Sequence, residues 1–226
     1  MSSTEKNDLW FATLLGQAPR LFLSILLLFA LKLQVLHAQE TFHIVLDPGH
    51  GGPDFGVNHH GFLEKTLALQ VAKKAEELLQ NRPGISAVLT RQGDYGLSFD
   101  ERRNIANSFT NGVFVSLHFG ASPDDKIRAT KIFILKSSQG FDESARLASL
   151  MKEELFSVCS NSEAKTAKFP LTPLIGISIP AILIELDTLT YKDTSNWLDP
   201  SMADKASKLI ISALDRFIAK RKDAVP

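Results

Sequence analysis

The chain of 226 residues contains a single cysteine, Cys159. That excludes an internal disulfide and a cysteine-rich zinc cage, so any metal must be held by histidines and carboxylates. Charge of one sign is missing too: 25 lysines and arginines balance 25 aspartates and glutamates. No basic field argues for a nucleic-acid partner. After Gln39 there is no repeat, low-complexity linker or second composition block, so residues 39–226 read as one domain. The apolar run of about 20 residues that a membrane-spanning helix needs is also lacking. Leu21–Leu31 is an apolar run of 11 residues, preceded by Arg20 and interrupted by Lys32. Leu36-His37-Ala38 follows as an imperfect small-residue cleavage site. Residues 1–38 are therefore expected to be a signal peptide, or an uncleaved anchor using Leu21–Leu36. Either places the domain in the periplasm or cell envelope, and the anchor would add membrane association.

What is present alternates between strand and helix. Phe42–Leu46 is a short apolar run ended by Asp47-Pro48-Gly49, which marks a strand entering a loop. Glu64–Gln80 spaces Leu67, Val71, Ala75 and Leu78 as one helical face. Further strands are expected at Ile85–Thr90, Val113–Leu117, Thr130–Leu135 and Ile179–Leu186. Ser98 with Glu101 is a capping box opening a helix to about Ser108. Phe141–Val158 and Met202–Lys220 are the remaining helices. This order implies a single-domain α/β fold: a mixed, mostly parallel twisted sheet with helices on both faces. Ligands of such sheets usually sit beyond the C-terminal strand ends.

The polar residues of interest fall there. His50 follows the first strand, in a loop with four glycines and two prolines between Asp47 and Gly56. The loop lacks the Lys-Ser/Thr ending of a phosphate loop. His118 ends the third strand, Glu185 ends a later one, and Glu64 opens the first helix. Each has an ordinary explanation taken singly: a surface loop histidine, a core histidine, a carboxylate favoured by the helix dipole. Glu185 is harder to dismiss, because an unpaired buried carboxylate is expensive. Strand alternation puts Asp187 on the same face. Two histidines, one glutamate and a further glutamate are the parts of a hydrolytic zinc site, with an open position for water. The long separations, and the absence of an H-E-x-x-H pattern, leave that reading undecided on spacing alone.

The motifs together resemble the zinc-dependent N-acetylmuramoyl-L-alanine amidases. Ile44-Val45-Leu46-Asp47-Pro48-Gly49-His50-Gly51-Gly52 looks like the opening signature of that family. Gly61-Phe62-Leu63-Glu64-Lys65 and Val115-Ser116-Leu117-His118 resemble its second and third ligand motifs. Thr90-Arg91, Asp94, Glu101-Arg102 and Ala106-Asn107 resemble its middle segment, and Pro180–Leu186 its catalytic strand. The resemblance implies that His50, Glu64 and His118 bind Zn2+ and that Glu185 is the general base. The implied reaction hydrolyses the amide between N-acetylmuramic acid and L-alanine in peptidoglycan, using metal-bound water. Arg91 and Arg102 are either structural ion-pair partners or ligands of substrate carboxylates. Asp187 is a third substrate-binding candidate.

Two departures matter. Phe119-Gly120 stands where the family commonly has a small residue and then Asn or Asp. Asp187 stands where it usually has glycine, which implies a raised pKa for Glu185 and an activity optimum shifted upward in pH. The connections Lys136–Gly140 and Asn161–Lys168 look too short for the inserted helix that covers the site in some relatives, so an open site is expected. Another zinc hydrolase of the wall, a peptidase or a sugar deacetylase, remains an alternative, as does a wall-binding protein that retains the site. No activator protein is indicated by the residues themselves.

Overall fold

Strand β1 (Phe42–Pro48) is apolar on both faces, which suits a strand at the middle of a covered parallel sheet. The computed structural model describes residues 41–136, 140–156, 161–167 and 171–222, so the expected leader and Cys159 lie outside the described residues. A short antiparallel hairpin, β2 (Asn58–His59) and β3 (Phe62–Leu63), precedes helix α1 (Glu64–Leu79). Then follow β4 (Ile85–Leu89), α2 (Phe99–Asn107), β5 (Gly112–Gly120), β6 (Thr130–Ile134) and α3 (Phe141–Leu155). The chain continues through β7 (Ser162–Thr166), β8 (Ala181–Thr188) and α4 (Pro200–Lys222).

Six strands form one sheet in the order β4-β1-β5-β8-β6-β7. The pairs β1–β4, β1–β5, β5–β8 and β6–β7 are parallel, and β6–β8 is antiparallel. One face packs on α1, α3 and α4: Ile44, Leu46, Val115, Leu117, Ile132 and Ile184 meet Val71, Met151, Leu214 and Phe217. Burying each such side chain contributes about 1.5–3 kcal/mol. Ala106 of α2 and the segment from Leu174 to Ile179 cover Val45, Phe114 and Leu183 on the second face. The expected architecture is therefore found, with a thinner cover on that face.

The capping box of α2 is complete. Ser98 Oγ accepts from the Glu101 amide at 3.3 Å, and the Ser98 amide donates to Glu101 Oε2 at 2.8 Å. The expected helix from Phe141 ends at Leu155, and Val158 lies outside the described residues. Residues 162–166, expected as a connection, form β7 instead. Its SEAKT sequence carries no apolar alternation, and parallel backbone pairing with β6 holds it in the sheet.

The polar loops that follow β1 and β5 leave the sheet at the same end, because the two strands are parallel neighbours. Pairing of β5 with β8 runs in register to His118↔Glu185, then shifts before Gly120↔Thr188. This irregularity falls beside Asp187.

Candidate metal centre

The site begins with Glu64, the first residue of α1, which is buried at 3% exposure. Its Oε2 accepts the Val57 amide at 2.8 Å and its Oε1 the Phe119 amide at 3.0 Å. The carboxylate is thereby pinned between the loop after β1 and the end of β5. His118 Nδ1 lies 2.8 Å from Glu64 Oε1, and His50 Nε2 lies 3.0 Å from the same oxygen. One ligand atom from each of His50, Glu64 and His118 falls within 4.8 Å of the others. The sequence brings these residues from three separate segments, and the fold gathers all three.

Close approach requires the glycines of the loop. A Cβ at position 49 would stand 2.3 Å from the His118 ring. One at position 56 would stand 2.5 Å from Glu64 Oε2 and 2.6 Å from the His50 ring, and Gly56 adopts φ 63 besides. His50 itself has φ 59, an uncommon conformation for a residue with a side chain. Strain of this kind persists only where the surroundings enforce it.

Two arginines enforce it. Arg91 is fully buried and donates to the carbonyls of Pro48, Gly49, Gly93 and Lys65. Arg102 donates to the carbonyls of Pro48 and His50 and pairs with Asp47 at 2.6 Å. Asp47 also accepts from Thr90 Oγ1 at 2.6 Å and Ser116 Oγ at 2.7 Å. Arg91 and Arg102 thus bind the loop that carries His50, and Arg91 ties it to the carbonyls of Gly93 and Lys65 as well.

Asp187 is also turned inward. It is fully buried, paired with Arg128 at 2.6 Å and bonded by Trp197 Nε1 at 3.0 Å. The register shift in β8 breaks the alternation that was expected to align it with Glu185. The Asp187 carboxylate is thus taken up by Arg128, Trp197 and the Thr188 amide. Glu185 is a quarter exposed and is bonded by Lys131 Nζ at 3.1 Å.

Burial alone would push the Glu64 carboxyl up. Hydrogen bonds and charge from His118 and His50 outweigh it and hold Glu64 far below the usual carboxylate range. Burial likewise opposes a charge on His50, yet Glu64 and Asp54 raise its pKa above the ordinary 6.5. The Asp54 partner was not evident in the sequence. Its Oδ2 lies 2.8 Å from His50 Nδ1, which leaves Nε2 facing the cluster. A carboxylate four residues from a loop histidine was the available signal, since ligand histidines commonly have such a partner.

Two imidazoles and one carboxylate, mutually close and partly desolvated, fit a zinc ion with an open position. A cavity of about 350 Å³, lined by Leu97, Phe99 and Pro173, opens on His50 and His118. A larger one of about 500 Å³, lined by Phe62, Leu67 and Trp197, contains none of the candidate ligands.

Comparison with known proteins agrees with this geometry. The chain is 36% identical over 102 residues to a probable N-acetylmuramoyl-L-alanine amidase, AmiB, of Haemophilus influenzae, covering 44% of this chain and 24% of that protein. The chain thus spans about a quarter of that relative's length. It is 26% identical over 196 residues to the germination-specific N-acetylmuramoyl-L-alanine amidase of Bacillus subtilis, covering 80% and 81% of the two chains. The crystal structure of an N-acetylmuramoyl-L-alanine amidase from Clostridium difficile 630 superposes with a TM-score of 0.72 at 25% identity, over 80% of this chain and 98% of that one. The family Amidase_3, described as N-acetylmuramoyl-L-alanine amidase, matches residues 44–216. That match takes in His50, Glu64, His118 and Glu185, and the chain belongs to this family.

Proposed function

We propose that the domain is a zinc-dependent N-acetylmuramoyl-L-alanine amidase acting on peptidoglycan. The carrying observation is the convergence of His50, Glu64 and His118 within 4.8 Å in a chain of this family. A zinc ion held there supplies Lewis-acid polarisation of the scissile carbonyl and a nucleophile at neutral pH. Glu185 accepts the proton of the attacking water and delivers it to the nitrogen of L-alanine as the C–N bond breaks. One C–O bond forms, one C–N bond is lost, and the amine leaves neutral. Asp54 fixes the His50 ring, and Asp47, Arg91 and Arg102 hold its loop. Asp187 supports the end of β8 through Arg128 and Trp197.

We place the domain outside the cytoplasm, where peptidoglycan lies, with residues 1–38 as its export signal or anchor. Among the described residues, no helix is long and apolar enough to cross a membrane.

The test uses the zinc-loaded protein and its Glu185→Ala variant on purified peptidoglycan, with products read by mass spectrometry. Free stem peptides beginning at L-alanine, lost in the variant, support the amidase. Cuts within the stem or released acetate support another zinc hydrolase. Intact polymer with retained binding supports a wall-binding protein.

A further inference from the structure

Three neighbouring strands place His118, Glu185 and Lys131 side by side. His118 of β5 is opposite Glu185 of β8, and Lys131 of β6 is opposite Glu185 from the other side. Glu185 therefore has the metal cluster on one flank and a lysine on the other. Lys131 Nζ donates to Glu185 Oε2 at 3.1 Å. Both side chains are about three-quarters buried, with 26% and 25% exposure. That same oxygen occupies space that a side chain at position 120 would need, since a Cβ there would lie 2.6 Å from it. Among the described residues, Glu185 Oε1 accepts no hydrogen bond, so the two oxygens are unequal.

We propose that Lys131 is a positioning residue for Glu185, holding Oε2 so that Oε1 is the oxygen presented to the attacking water. This rests on the reading of Glu185 as general base. An unrestrained glutamate divides its time among rotamers, and one that keeps a quarter of its side chain exposed has room to do so. Charge-assisted bonding to a neighbouring strand removes that freedom. Gly120 leaves the carboxylate the space to take this orientation. Among the described residues Lys131 makes no hydrogen bond or ion pair with His50, Glu64 or His118, so its effect is expected on the chemical step and not on metal or substrate binding.

The experiment compares wild type, Lys131→Met, Lys131→Arg and Glu185→Gln as full-length, zinc-loaded proteins on a soluble muramoyl-peptide. Zinc content and thermal melting are measured alongside. Lys131→Met is expected to keep its zinc and its KM while kcat falls about tenfold, the scale of a displaced catalytic group. Lys131→Arg is expected to recover most of that loss. A crystal structure of Lys131→Met is expected to show Glu185 in more than one rotamer. Unchanged kcat in Lys131→Met, or a loss confined to KM, overturns the proposal. Loss in Glu185→Gln with wild-type turnover in Lys131→Met removes the positioning role alone. Full activity in Glu185→Gln removes the base and the positioning role together.

Discussion

Two buried carboxylates, one beneath the loop after β1 and one beside it, show how similar burial serves different ends. Asp47 is 1% exposed and Glu64 is 3% exposed. Asp47 is answered by Arg102, Thr90 and Ser116. A guanidinium and two hydroxyls offer no vacant site to a metal, so this layer is structural. Glu64 is answered by two backbone amides and two imidazoles. Those imidazoles can lose a proton and take a metal instead. The difference lies in the partners and not in the acids: arginine makes a carboxylate structural, and histidine leaves it available.

The comparison can be broken most sharply at Glu64. Glu64→Ala is expected to lower zinc affinity by more than about a hundredfold, beyond what changes around a ligand usually do. Isothermal titration with zinc reads it, and retained stoichiometric zinc would dissolve the distinction. At the other carboxylate, Arg102→Ala leaves Asp47 buried and unpaired. It is expected to destabilise the domain by about 3–5 kcal/mol in urea unfolding, as broken buried pairs do. A loss near zero would mean that the layer is not what holds the loop.

The third test uses pH. His50 is raised above 6.5, so its contribution to metal-free stability is complete below that value and is lost as pH rises through the raised one. Glu64 is depressed below 4.5, so its contribution is present above that value and is lost on acidification. The metal-free cluster therefore stabilises the fold most between 4.5 and 6.5. Zinc needs a neutral His50, so its affinity moves the other way. It should climb by about tenfold per pH unit while one proton is displaced, flattening above the His50 value. Parallel zinc titrations and melting curves from about pH 5 to about pH 8 should show these opposed trends. Parallel trends would remove His50 from the ligand set. The smallest effect is expected at Ser98, whose cap fixes the helix that carries Arg102. Ser98→Ala should lower stability by about 1 kcal/mol in urea unfolding and leave zinc affinity unchanged.

The fold was largely legible because its central strands and helices carry their period in apolar residues. Phe42–Leu46 and the Leu67-Val71-Ala75 face read directly, and so did the Ser98–Glu101 box. β7 was not legible, since an edge strand written SEAKT has no buried face to announce it. At the site, the three candidate ligands were legible as a resemblance, two of them by their place after or at the end of a strand and Glu64 by its place at the start of the first helix. The partners of Asp187 were not legible, because a register shift such as the one beside it leaves no mark in composition. Lys131 was invisible for a related reason: which residue of β6 lies opposite Glu185 depends on an antiparallel pairing set by the whole sheet.

The parallel pairing of β1, β5 and β8 has a kinetic consequence. Residues 50, 64, 118 and 185 are brought together only after those strands have found one another across long stretches of chain. Contacts of such separation form slowly, because loop closure precedes any reward. A complete ligand set is thus among the last things the chain acquires as it folds. Binding of the metal should accordingly follow sheet assembly and trap its product, slowing the unfolding rate more than it speeds refolding.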